Sequence, residues 1–97
     1  MMIRDRERPL DREAAEQLAI RALAFLAGEP EELGRFLALA GLGPDTIRTA
    51  AGDPGFLAGV LEYFMENEPL LLVFCAREKV RPTLFAAARF ILDQAVE

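Results

Sequence analysis

Pro69-Leu70-Leu71-Leu72-Val73-Phe74-Cys75-Ala76-Arg77-Glu78-Lys79-Val80-Arg81 is the stretch on which the fold class turns. Leu70 to Ala76 is apolar without interruption, so periodicity alone does not separate a buried helix from a buried strand. The flanks decide. Proline suits the first turn of a helix, and Arg77, Lys79 and Arg81 suit the negative end of its dipole. A lone strand would also lack a partner, because every other segment of the chain reads as helix. The expectation is a helix beginning at Pro69 and lying at the centre of an all-α protein.

Outward from this run, Gly and Pro divide the rest into short helical pieces. Glycine is favoured just past a helix end and proline at a helix start. Asp11 is a good N-cap for a first helix running to Ala27, with Ala14, Leu18, Ala22 and Phe25 on its apolar side and Leu10 set to staple against Ala15. A second helix starts at Pro30 with Glu31 and Glu32 in its first turn. Leu33, Phe36, Leu37 and Ala40 follow helical spacing, and Gly41 stands where a left-handed residue ends the helix, with Leu42 folding back onto Leu37. Pro44 opens a short third helix carrying Ile47, Ala50 and Ala51. Asp53-Pro54 caps a fourth, whose Phe56, Leu57, Val60, Leu61 and Phe64 form one face. Pro82 begins the sixth, with Leu84, Ala88, Ile91 and Ala95 aligned. The reading is a compact bundle of about six short helices around the apolar 70–76 segment. Residues 10–97 form one helical domain behind a solvated, mobile tail at 1–9, where charges alternate from Arg4 to Arg8.

The chain of 97 residues is 53% hydrophobic and carries a net charge of −5. That is much apolar surface for a small interior, which points to a partner. The acidic balance offers no general attraction to nucleic acid or anionic lipid, so nucleic acid is disfavoured as a partner. The N-terminus has no apolar core of a secretory signal, and the longest apolar run, seven residues, is far short of the roughly 20 that a membrane span needs. The expectation is a cytoplasmic protein without a membrane association.

Chemistry is scarce. With no His, Ser or Trp, the chain lacks the commonest general base, the commonest metal ligand and every serine–histidine arrangement. Cys75 lies in the most apolar run, where burial makes a thiol inert. Glu62, Glu66 and Glu68 gather near the end of the fourth helix. Paired carboxylates bind hard cations, but neither EF-hand spacing nor a Glu-x-x-His pair is present, and an acidic solvated helix end explains the group better. Negative charge at a helix C-terminus is mildly unfavourable, which hints at a basic partner. Arg77, Lys79 and Arg81 flank the start of the sixth helix and would suit an acidic ligand, although offsetting the dipole of the preceding helix is reason enough for them. No enzyme and no cofactor are expected.

Elimination leaves a non-enzymatic protein–protein interaction module, an adaptor or small regulator that binds another protein or a copy of itself. Its expected apolar groove lies near the fourth and sixth helices and is lined by Phe64, Met65, Phe85 and Phe90. The alternative is a DNA-associated regulator using residues 36–51. There a helix, Gly41, a short turn and a helix bearing Ile47 look like a helix-turn-helix, but the reading helix offers one base, Arg48, beside Asp45, Thr46 and Thr49.

Phe36-Leu37-Ala38-Leu39-Ala40-Gly41-Leu42-Gly43-Pro44, then Ile47-Arg48, Asp53-Pro54-Gly55-Phe56-Leu57, Val60-Leu61 and Glu68 together carry a family resemblance. Over about residues 14–92 the chain resembles a group of short alphaproteobacterial proteins, domain of unknown function 3572. The resemblance implies a small bacterial helical protein and brings no active-site residues with it.

Overall fold

The computed structural model describes residues 10–96. Six α-helices follow one another: α1 (Arg12–Ala27), α2 (Pro30–Ala40), α3 (Ile47–Ala50), α4 (Pro54–Met65), α5 (Glu68–Glu78) and α6 (Thr83–Ala95), with no strand among the described residues. The expected tail at residues 1–9 lies outside the described residues.

Caps set several boundaries. The Asp11 carboxylate accepts from the Ala14 N–H at 2.9 Å to start α1, and Asp53 accepts from the Gly55 N–H at 3.1 Å to start α4. At the end of α2, Gly41 is left-handed at φ 73°. Its N–H donates to the Ala38 carbonyl and that of Leu42 to the Leu37 carbonyl, at 3.2 and 3.0 Å, the paired bonds of a Schellman stop. The third helix is less regular than its sequence suggests: Pro44–Thr46 is a 3-10 turn, and only Ile47–Ala50 is α-helical. Thr46 tightens that turn by donating both its hydroxyl and its N–H to the Gly43 carbonyl, at 2.8 and 3.1 Å.

The core is built by α1, α4 and α6, which pack on one another. Buried Ala15, Ala19 and Ala22 of α1, Ala58 of α4 and Ala88 of α6 let these backbones approach closely. Leu18, Leu26, Val60, Leu61, Phe64, Phe85 and Leu92 fill the space between them. The centre is therefore α4, which packs against α1, α2, α5 and α6. The 70–76 segment, expected there, sits at the side, on α4. Phe74 and Cys75 are buried, while Leu72 and Val73 are 48% and 51% exposed. The physical reason is size: α5 presents large side chains on every side, whereas the alanine-bearing faces of α1, α4 and α6 allow tight helix–helix packing.

Candidate interaction groove

Phe64 and Phe85, expected to line a surface groove, are fully buried at 0% exposure. They belong to an aromatic cluster with Phe25 and Phe74, whose ring centroids lie 5.5–6.1 Å apart in tilted and edge-to-face pairs. Met65 is half-buried, and Phe90 stands 64% exposed on α6. The groove proposed for the fourth and sixth helices thus loses two of its four residues to the core. The reason is that both phenylalanines fall on the side of their helix where α4 and α6 meet.

A concavity lies instead on the other side of α4. A groove of about 610 Å³ opens between α2, the segment around α3, and α4. Phe36, Leu39 and Ala40 of α2 form one wall, Leu42 and Ala50 one end, and Phe56, Gly59 and Tyr63 of α4 the opposite wall. Phe36 is packed edge-to-face against both Phe56 and Tyr63, with centroids 5.6 and 5.4 Å away. This second aromatic group holds the floor in one shape. Leu39, on the rim, is 74% exposed. Asp53, Glu62 and Glu66 complete the lining, with no Lys or Arg among the described residues that form it.

Beside the groove, the Tyr63 hydroxyl donates to Glu32 Oε1 at 2.6 Å, and Arg35 pairs with Glu32 Oε2 at 3.2 Å. Burial, then the hydrogen bond to Glu32, raises the Tyr63 hydroxyl above its ordinary value, while the Tyr63 and Glu32 oxygens raise Arg35 further. Tyr63 therefore remains a neutral donor that ties α4 to α2 across the groove.

The remaining candidates are dispersed. Glu62 pairs with Arg89 of α6 at 3.3 Å, Glu66 caps the end of α4 and Glu68 opens α5. Among the described residues no three His, Cys, Asp or Glu side chains are placed to hold a metal ion. The Arg77 guanidinium lies 4.9 Å over the Phe25 ring. Lys79 is the left-handed residue ending α5, and Arg81 is exposed ahead of α6. Glu78, between them, is held by Arg21, which donates to its carboxylate at 2.9 Å and to its main-chain carbonyl at 3.2 Å. Cys75 is buried, and burial raises its thiol. No described helix is long and apolar enough to cross a membrane.

A family model described as "Protein of unknown function (DUF3572)" matches residues 12–95, from the first residue of α1 to the last of α6. The chain belongs to that family. The match spans all six described helices. No curated protein and no solved structure matches the chain. Sequence reading missed the groove although its signal was present: Gly55, Phe56, Gly59 and Tyr63 recur at helical spacing on the side of α4 opposite Leu57, Leu61 and Phe64.

Proposed function

We propose that this DUF3572 protein is a non-enzymatic interaction module that docks a protein partner in the groove between α2 and α4. The observation that carries the reading is Leu39, a large apolar side chain left 74% exposed on the rim of an aromatic-floored groove. A volume of about 610 Å³ would also suit a small molecule. A small molecule, however, would leave that rim in water, whereas a protein segment covers floor and rim together. A bacterial, cytoplasmic setting belongs to the same reading and rests on the family resemblance and on a sequence whose one cysteine, Cys75, can form no internal disulfide.

The DNA-associated alternative draws less support. Its reading helix is one 3-10 turn followed by four α-helical residues, Arg35 is engaged with Glu32, and the adjoining groove is lined by carboxylates. Wild type and Leu39→Glu, used as parallel baits in host lysate, test the docking reading. Leu39 is exposed enough that melting should be unchanged within about 0.5 kcal/mol. The expected result is a stoichiometric protein held by wild type and absent from the variant. Identical captures would remove the groove from the function.

A further inference from the structure

We propose that the groove takes an amphipathic helical segment of a partner protein, about four turns long and flanked by Lys or Arg. This rests on the interaction-module reading and specifies what docks. The first observation is shape. Gly55, Phe56, Gly59, Glu62, Tyr63 and Glu66 line the groove and recur at helical spacing down one side of α4. From Asp53 at its N-cap to Glu66 at its C-cap this side runs about 20 Å at roughly 1.5 Å per residue, the length of a docked helix. Exposed Leu39 and the aromatic floor suit apolar anchors presented at i, i+3, i+4 and i+7.

The second observation is Gly59. Glycine weakens a helix interior relative to alanine, so a packing reason is expected for it. There is none inside the molecule: a Cβ added at Gly59 meets no atom within 4 Å. The missing side chain leaves the middle of α4 open to close approach from outside.

Charge supplies the third. Asp53, Glu62 and Glu66 line the groove without a base. Glu62 shares Arg89 with Asp93, at 3.3 and 3.5 Å, so two carboxylates face one guanidinium and that corner stays negative. Lys or Arg flanking the partner's apolar stripe would meet these carboxylates. A second copy of this chain, with net charge −5, is the poorer occupant because like charges oppose its approach.

Two labelled helical peptides test the proposal against the full chain by fluorescence anisotropy and amide chemical-shift mapping. Both carry Leu at i, i+3, i+4 and i+7; one has Lys and Arg on its flanks, the other Glu. The basic peptide is expected to bind saturably, more weakly as salt rises, with shifts concentrated in residues 36–42 and 53–66. Gly59→Leu, which fills the groove without changing charge, should weaken it at least about tenfold with melting preserved. Glu66→Lys should weaken it and flatten the salt dependence. Equal binding of the Glu peptide, or indifference to both substitutions, overturns the proposal. If neither peptide binds while Leu39→Glu still loses a lysate protein, the module stands and its occupant is of another kind. If that capture is also unchanged, both readings fall.

Discussion

Lys79 carries a conformation that costs energy. Its φ of 58° is left-handed, and it ends α5 in the position where glycine is preferred, with the Val80 N–H returning to the Cys75 carbonyl at 3.0 Å. Lys79→Gly should therefore stabilise the protein by roughly 0.5–1 kcal/mol, a rise of several degrees in melting temperature for a chain of this size. A thermal melt that falls instead would mean that the Lys79 side chain contributes more than its backbone costs. Tyr63 makes the opposite kind of contribution. Burial and the Glu32 contact raise its hydroxyl above the ordinary value of 10.0, so the folded chain keeps this proton to higher pH than the unfolded chain does. The corresponding stability is fully present below pH 10 and is lost as pH rises through the folded value. Tyr63→Phe should lower stability by roughly 1 kcal/mol near neutral pH. It should also lose less than wild type does between neutral and strongly alkaline pH, as denaturant titrations at several pH values would reveal.

At the scale of elements, α2 was the most legible from sequence. Pro30 starts it, Gly41 stops it and Leu42 returns to it, because each of those residues serves one local backbone requirement. Gly34, in its interior, has open space around a would-be Cβ. Gly34→Ala should thus stabilise the helix by about 0.5–1 kcal/mol, whereas Gly41→Ala, forced to a left-handed φ, should destabilise by roughly 1 kcal/mol. The position of α5 was not legible. Its sequence has no polar side to mark which face turns outward, and only the alanines of the other helices decide which three pack tightly. The groove was hidden for a related reason. Phe56 and Tyr63 look like core residues of α4, and only the folded neighbourhood reveals that α2 meets them at an angle that leaves one side open.

For the whole molecule, the buried core and the outward side of α5 should differ sharply in their tolerance to change. Phe64→Ala empties the middle of the aromatic cluster and should cost about 3–5 kcal/mol, a large part of the stability expected of a 97-residue chain. Leu72→Ala, at a half-exposed position, should cost under about 1 kcal/mol. Chemical denaturation of the two variants compares them directly. Similar losses would mean that the outward side of α5 is buried as well.

The contacts of Arg21 with Glu78, of Arg77 with Phe25 and of Phe74 with Phe25 fasten the second half of α5 to α1. Midway along it, Leu72 and Val73 face water. This helix can open short of global unfolding only by withdrawing Phe74, fully buried against Phe64 and Phe85, from the ring cluster. Cys75, the chain's single cysteine, lies on it and is buried, so it is a built-in reporter of that opening. Its rate of modification by a thiol reagent should correspond to a free energy below that of global unfolding. Arg21→Ala should speed modification of Cys75 while leaving amide exchange in α4 at its original rate.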